Sequence, residues 1–452
     1  MTESFKIFQL ENGLRYVHSK VTTTKLVTVA IFFRLGSIWE NEKFYGGSHF
    51  LEHFLFKGCD MYKNAKDLNT EFDNLGAIVN ASTSHEYTNF YGCVSVENFE
   101  KFFNIISNMV VTPVFNPEEF EKEKNVVIEE LKRYLDKPED NSEEELYTLL
   151  FGKNHRLGRK IGGEVSEVKD IKLESLKEFH KKYYIPQNAC ISICGNVQLE
   201  DVHRLVCNSL LAKKSDGNVN AIEKSPIDSQ EKLRIKIMKP EQKQEHCYIN
   251  IGFNIRDICD KNETDINDVK IDFISNILNC GMSSRLFQDL RENHGISYSQ
   301  SAGYDCFIDC GLYVITTSVD CPSIYKTIVN GEESEGALEI LSNQVNLLKN
   351  EKVGDKEMKK VKACSLSHIR AGYEKSHRRC LRYGEDLICS EDSKIMSITE
   401  EEEIIKNITA DEILELSQKI FDFNNCSICI SGHLESREIN SLIEEKALFK
   451  NM

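Results

Sequence analysis

Residues 46–58 read GGSHFLEHFLFKG and place two histidines, His49 and His53, four positions apart, with Glu52 directly before the second. On an α-helix successive residues advance by about 100°, so the two imidazoles lie within about 40° of each other. Two imidazoles on one helix face can bind one zinc ion, and Glu52 projects beside the same place. The spacing also occurs among ordinary core and surface histidines. The stretch therefore predicts a metal site only together with a third ligand.

A third ligand can come from residues 116–136, NPEEFEKEKNVVIEELKRYLD, which show the apolar periodicity of a helix. Glu123 and Glu130 lie within about 20° of each other inside the mostly apolar face, whereas Glu129 points about 180° away from Phe120. A carboxylate on a buried face is costly unless it pairs with a cation or binds a metal. We therefore predict that Glu130 is the third ligand and that Glu123 supports the site. An ordinary helix carboxylate is the alternative for Glu123.

The predicted chemistry of this cluster is hydrolytic. Zinc lowers the pKa of a bound water, and a neighbouring carboxylate such as Glu52 can accept its proton. The order H-x-x-E-H reverses the familiar H-E-x-x-H but keeps the geometry, because the chemistry needs an i, i+4 histidine pair and a flanking acid.

Composition limits the class of protein and its partners. The chain has 452 residues, of which 40% are hydrophobic and 28% charged, enough for about two to three domains. A net charge of -16 argues against nucleic acid or an anionic membrane as the main partner. No apolar run approaches the roughly 18 residues that span a bilayer.

The cysteines and the N-terminus predict the compartment. The 16 cysteines are scattered through apolar runs instead of forming a disulfide framework. The N-terminal residues, MTESFKIFQLENGLRY, show neither a signal core nor a transit-peptide composition. We therefore expect free thiols in a reducing compartment, either the cytoplasm or the matrix of a mitochondrion or another organelle.

The predicted elements divide into two similar halves, 1–211 and 233–452, joined by a polar linker at 212–232. The clearest internal echo is CISICGNVQLEDV (190–202) against CSICISGHLESREI (426–439), each an apolar strand, a glycine and a polar helix start. Strands and helices mix without regular βαβ alternation. This favours an α+β fold in which each half is a mainly antiparallel sheet packed with helices. The second half lacks H-x-x-E-H, so we expect one zinc ion per chain, in the first half.

The order H-x-x-E-H followed by E-x6-E resembles the pitrilysin/insulinase family of inverted-motif zinc peptidases. Within it the chain is most similar to half-length members, such as the β subunit of the mitochondrial processing peptidase and bacterial relatives. The resemblance extends over nearly the whole chain. It includes GSIWENEKFYGGSHFLEHFLFKG, LGAIVNASTSHEYTNFYG, EKEKNVVIEELKRY, HRLGRKIGG and, in the second half, GMSSRLFQDLRENHGISYS.

The resemblance assigns roles to individual residues. It makes His49, His53 and Glu130 the zinc ligands, Glu52 the general base and Glu123 the supporting acid. Asn80-Ala81 resembles the family's edge strand, which pairs with the substrate backbone. Arg291 and Tyr298 resemble the pair that binds the substrate carbonyl and stabilises the oxyanion. An ordinary aromatic at a strand start is the alternative for Tyr298.

The resemblance also implies an activity and an assembly. It implies a zinc metalloendopeptidase that hydrolyses unfolded peptides or presequences inside a closed chamber, with metal-bound water activated by Glu52. The family builds this chamber from four homologous domains, so a two-domain chain is expected to form a homodimer or to pair with a homologous half-length chain. The alternative is a non-catalytic core subunit of a processing-peptidase-like complex. Such relatives have typically lost the metal ligands, which this sequence keeps.

Overall fold

The computed structural model describes residues 5–214, 233–240, 244–256, 258, 264–308, 310–390 and 394–449. Most of the predicted linker, from residue 215 to 232, lies outside these ranges. The strands are β1 (Phe5–Gln9), β2 (Arg15–Lys20), β3 (Leu26–Phe33), β4 (Ile78–Thr83), β5 (Thr88–Ser95), β6 (Ala189–Gly195), β7 (Arg234–Met238), β8 (His246–Asn254), β9 (Ser297–Cys306), β10 (Gly311–Asp320), β11 (Lys326–Val329), β12 (Glu332–Glu335) and β13 (Cys426–Ser431).

The helices of the first part of the chain are α1 (Gly47–Leu55), α2 (Ala65–Asn74), α3 (Phe99–Val111), α4 (Pro117–Leu135), α5 (Pro138–Phe151), α6 (Val165–Asp170), α7 (Leu173–Tyr183), α8 (Leu199–Asn208) and α9 (Leu210–Lys213). Those of the second part are α10 (Thr264–Asn279), α11 (Ala337–Asn350), α12 (Asp355–Glu374), α13 (Ser376–Cys389), α14 (Ile398–Asn407), α15 (Ala410–Ile420) and α16 (Ser436–Glu445). Phe287–Asn293 forms a π-helical segment.

The first sheet has the strand order β1-β2-β6-β3-β5-β4, and its neighbours are antiparallel except for β2 and β6. Its central strands β3 and β6 are almost entirely buried. Their continuous apolar sequences, LVTVAIFF and ACISICG, suit strands covered on both faces. The edge strand β4 alternates instead between exposed and half-buried residues.

The second sheet repeats this arrangement. Its order is β7-β13-β8-β10-β9, and again all neighbours are antiparallel except one parallel pair, β7 and β13. The order matches β2-β6-β3-β5-β4 strand for strand, so β9 occupies the edge position that β4 holds in the first sheet. The predicted α+β class with two homologous halves and mainly antiparallel sheets is confirmed.

The chain divides into two compact units that do not follow the predicted halves 1–211 and 233–452. The first unit comprises residues 1–132, 160–223 and 370–398, and the remaining segments form the second unit. Helix α13, from the second half of the sequence, lies on β2, β3 and β6 of the first sheet, while α5, from the first half, packs on β8 and β13 of the second. Both faces of each central strand are apolar, so each sheet needs a second covering helix, and the sequence pattern does not show which half supplies it.

Two further findings concern the cysteines and the helices. Cys280 and Cys364 are joined by a disulfide, while the other described cysteines are free thiols. The expectation of free thiols throughout is therefore wrong for this pair, because packing of α12 against the end of α10 brings together cysteines 84 residues apart. Within the described ranges, no helix has both the length and the apolar character needed to cross a membrane.

Candidate metal centre

The histidine-bearing helix α1 is fixed at its first turn by Glu40. One carboxylate oxygen of Glu40 accepts the Gly46 N–H at 2.8 Å, and the other accepts the Ser48 N–H at 2.7 Å. Gly46 has no side chain to cap the helix, so Glu40 satisfies N–H groups that would otherwise lack partners. Burial raises the pKa of Glu40 to about 8, although the hydrogen bonds from Ser48 and Gly46 act in the opposite direction. The sequence motif alone did not identify Glu40 as part of the site.

Gly46 and Gly47, at the start of α1, lie close to a second glycine pair, Gly162 and Gly163. Gly46 has φ +79°, and a Cβ there would stand 2.4 Å from the Gly162 carbonyl oxygen. A Cβ on Gly162 would stand 2.5 Å from Leu131 and 3.5 Å from His49 Nδ1. At Gly46 the positive φ and the backbone oxygen leave room for glycine only, whereas at Gly162 a larger residue would displace the end of the Leu131 side chain. Gly162 belongs to the segment HRLGRKIGG, residues 155–163, so the end of this segment lies directly against His49.

The structure brings the three predicted ligands together. Donor atoms of His49, His53 and Glu130 all lie within 4.8 Å of one another. His53 Nε2 lies 3.2 Å from Glu130 Oε2, and the two imidazole centroids are 4.7 Å apart. The side chain of Glu130 is 19% exposed, whereas that of Glu129 is 70% exposed and pairs with Lys132. The helix-face argument therefore agrees with the geometry of α4.

Glu123 supports the second histidine from behind. Its carboxylate lies 3.1 Å from His53 Nδ1 and 2.5 Å from Lys57 Nζ. Burial acts to raise the pKa of Glu123, but the contacts with His53 and Lys57 outweigh it and hold the pKa below its usual value. An ionised carboxylate on Nδ1 orients the imidazole and leaves Nε2 towards Glu130. This is the arrangement that commonly surrounds a metal-ligating histidine.

The electrostatics of the histidines fit a bound cation. Burial, with a smaller contribution from His53, lowers the pKa of His49 to about 3, so this imidazole is neutral as a metal ligand must be. His49 Nδ1 is buried and has no hydrogen-bond partner in the described part of the chain. For His53, burial is outweighed by Glu123, Glu52 and Glu130, which raise its pKa. Two imidazoles and a carboxylate are a donor set that zinc accepts.

Glu52 is held beside the ligands by a residue that the sequence did not reveal. The Thr83 hydroxyl, on β4, donates to Glu52 Oε2 at 2.7 Å. Burial raises the pKa of Glu52, while the Thr83 hydrogen bond acts in the opposite direction. A carboxylate whose pKa is shifted towards neutrality is suited to accept and return a proton. Only the pairing of α1 with β4 places Thr83 there.

The strand that carries Asn80 and Ala81 lies at the edge of the first sheet. Among the described residues, β4 pairs with β5 only, with Ala81 opposite Phe90. The Ala81 N–H donates to the Asn80 side-chain oxygen at 2.9 Å. Ile78 on the same strand is 75% exposed. An edge strand of this kind can accept a further strand.

The structure also pairs Arg291 with Tyr298, inside the second unit. Arg291 lies in the π-helical segment, and Tyr298 is the second residue of the edge strand β9. The guanidinium carbon is 4.7 Å from the centroid of the Tyr298 ring and 4.8 Å from that of Phe287. Tyr298 is 82% exposed. The pair therefore presents a cation and a phenol to solvent next to an edge strand.

Comparison with known proteins gives two family matches. Residues 15–164 match the model described as Insulinase (Peptidase family M16), and residues 170–363 match the model described as Peptidase M16 inactive domain. The first match contains the histidine pair and both α4 carboxylates. The second contains Arg291 and Tyr298.

Individual relatives match along nearly the whole chain. The uncharacterized zinc protease YmxG of Bacillus subtilis (strain 168) is 29% identical over 95% of this chain and 100% of its own length. An uncharacterized zinc protease of Rickettsia felis is 28% identical over 93% of this chain and 96% of its own. A crystal structure of a protease from Helicobacter pylori superposes with a TM-score of 0.83 at 18% identity, covering 96% of this chain and 100% of that one. That structural likeness concerns the fold.

Proposed function

Because the chain belongs to the insulinase family of peptidases, family M16, we propose that it is a zinc metalloendopeptidase that cleaves unfolded peptides. The observation that carries this proposal is the convergence of His49, His53 and Glu130, with Glu52 close enough to interact electrostatically with His53 and Glu130. These side chains come from two helices far apart in sequence. A structural subunit would not require these features. They are the buried Nδ1 of His49 without a hydrogen-bond partner in the described part of the chain, the carboxylate of Glu123 against His53, and the carboxylate of Glu52 beside the ligands.

In this proposal the ligands and the base have separate tasks. His49, His53 and Glu130 hold the zinc ion, which when bound lowers the pKa of water and polarises the scissile carbonyl. Glu52 accepts the proton of the attacking water and passes it to the leaving amine nitrogen. The Thr83 hydroxyl fixes the orientation of Glu52.

The edge strand β4 supports a substrate class. A peptide in extended conformation can add to β4 through main-chain hydrogen bonds near Asn80 and Ala81. Main-chain pairing reads little of the side-chain sequence and requires an unfolded substrate. We further propose that Arg291 and Tyr298 bind the substrate carbonyl, where a cation and a phenol stabilise developing negative charge.

The proposed assembly follows from the number of units. A closed chamber made from four homologous domains needs two chains of this length. This chain keeps both the metal ligands and the Arg291–Tyr298 pair, so a homodimer needs no specialised partner. We therefore place the reaction in a homodimer, on peptides or presequences small enough to enter it.

The decisive experiment removes the base and keeps the metal. We predict that Glu52→Gln retains zinc but cleaves an unfolded peptide library about 10²–10⁴-fold more slowly, because a general base contributes about that factor. Cleavage is read by mass spectrometry, and a chelator should abolish it in the wild type. Glu129→Gln, an exposed carboxylate on the neighbouring helix, is the matched control and should cleave normally.

Two results would contradict the proposal. Undiminished cleavage by Glu52→Gln would exclude Glu52 as the base. A zinc-loaded wild-type protein without cleavage would favour the non-catalytic core subunit instead.

A further inference from the structure

A second cluster of metal-ligating side chains lies in the second unit, away from any predicted motif. Cys280, Cys364 and His368 place their donor atoms within 4.8 Å of one another. Cys280 Sγ is 4.0 Å from His368 Nδ1, in addition to its disulfide with Cys364. Cys364 and His368 are four residues apart on α12, the same spacing as His49 and His53 on α1. The disulfide alone gives no role to the imidazole beside it.

The internal repeat places this cluster at the counterpart of the metal centre. Helix α4 begins at residue 117 and α12 at residue 355, an offset of 238, and α5 and α13, at 138 and 376, have the same offset. The same offset carries Glu130 onto His368. In the first unit α1 lies between β3 and β4 in chain order, and in the second unit α10 lies between the corresponding strands β8 and β9. The end of α10, followed by Cys280, thus meets α12 as α1 meets α4.

We propose that Cys280, Cys364 and His368, with both thiols reduced, form a second metal site that binds zinc. Two thiolates and an imidazole are ligands that zinc prefers, and a water molecule completes four-coordination. A dithiol reductant supplies two electrons and two protons to the disulfide and is itself oxidised to a disulfide. The divalent ion then displaces the two thiol protons as it binds. Cys280 is 8% exposed and His368 is exposed, so the site has a buried anchor and an open side.

The surrounding contacts show what the ion would hold. Arg285 donates two hydrogen bonds to Glu357 on α12, at 3.0 and 2.9 Å, and Lys360 donates to the Ser283 carbonyl at 2.5 Å. The segment from Cys280 to Arg285 leads directly into the π-helical segment that carries Arg291. A metal ion bound to the cluster would therefore link α12 to residue 280, a few residues before the π-helical segment begins. The site exceeds the expected one zinc per chain and does not depend on the proposed peptidase activity.

Cobalt(II) is the probe that separates the two sites, because only a thiolate ligand gives cobalt charge-transfer absorption in the near ultraviolet. Full-length protein is reduced, stripped of metal and titrated with Co²⁺ under anaerobic conditions. We expect about two ions per chain and a thiolate band in the wild type. Cys364→Ser should bind about one ion and lose the band, and His368→Asn should weaken Co²⁺ binding to the thiolate site at least about tenfold.

The controls keep this result distinct from the first centre. Glu130→Gln should keep the thiolate band, since it changes only the other site. Cys321→Ser should also keep the band, because Cys321 is a half-buried free thiol of the same unit that is not part of the cluster. His368 is exposed, so its replacement should not impair folding. Absence of the band in reduced wild type, or its persistence in both Cys364→Ser and His368→Asn, would overturn the proposal. Neither result bears on Glu52-dependent cleavage.

Discussion

Neighbouring residues on one helix can face opposite environments, and Glu129 and Glu130 show this most clearly. A single step along the helix, a rotation of about 100°, separates a carboxylate that pairs with Lys132 in solvent from one that reaches His53. The cost of burying a carboxylate explains why only the second is expected to bind a cation. At this scale the sequence was informative, because helix angle and apolar neighbours together report burial.

We predict that Glu130→Gln lowers zinc affinity by at least about 10–100-fold, because an amide replaces the charged ligand. Glu129→Gln should leave zinc affinity unchanged. Competition with a chromogenic chelator measures both. If Glu129→Gln lost zinc while Glu130→Gln kept it, the ligand assignment would be wrong.

We predict that Glu123→Gln also weakens zinc binding by about 10–100-fold, although Glu123 is not a ligand. The amide no longer neutralises Lys57 or supports the His53 imidazole through Nδ1. Glu121→Gln, an exposed carboxylate on the same helix, is the control. Equal zinc affinities for the two variants would make Glu123 an ordinary helix carboxylate.

Helices that cover a sheet from the other half of the sequence decide how the elements assemble. Gly384 on α13 lies so close to β3 that a Cβ there would stand 2.1 Å from the Phe32 ring. In the second unit a Cβ on Gly252 of β8 would stand 3.0 Å from the Leu146 side chain of α5. Both α13 and α5, the helices that cover a sheet from the other half of the sequence, therefore contact a central strand at a glycine.

We predict that Gly384→Ala destabilises the first unit by about 1–3 kcal/mol, because the methyl group overlaps a fully buried ring. Gly372→Ala should instead stabilise by about 0.5–1 kcal/mol, since nothing lies within 4 Å of its Cβ position on α12. Thermal unfolding followed by circular dichroism compares the two, at about 2–4 °C per kcal/mol for a unit of 150–250 residues. An unchanged melting temperature for Gly384→Ala would show that α13 is not seated on Phe32.

At the scale of the whole molecule, the repeat governs both the architecture and the distribution of functional side chains. The two sheets share one strand order, yet the edge strand of the first carries Asn80, Ala81 and Thr83 in the unit that holds the cluster of His49, His53 and Glu130. The edge strand of the second has Tyr298 as its second residue. Duplication supplied one scaffold, and the two copies carry different chemistry at equivalent positions.

We predict that the purified protein is a homodimer, because two copies supply the four units that a closed chamber needs. Light scattering after size exclusion should give about 104 kDa, twice the 51.9 kDa of one chain. Dilution below the dimer dissociation constant should reduce peptide cleavage per chain. A fully active monomer would contradict the proposed assembly.

The sequence by itself determined the α+β class, the repeated halves, the i, i+4 histidine pair and the face of α4 that carries Glu130. These features depend on periodicity within one element, which reports what that element buries. Only the tertiary structure decided that Glu40 caps α1 and that Thr83 binds Glu52. It also decided that α13 covers the first sheet and α5 the second, and that Cys280 meets Cys364 and His368. Those contacts join residues distant in sequence, and packing between elements, which local pattern does not encode, brings them together.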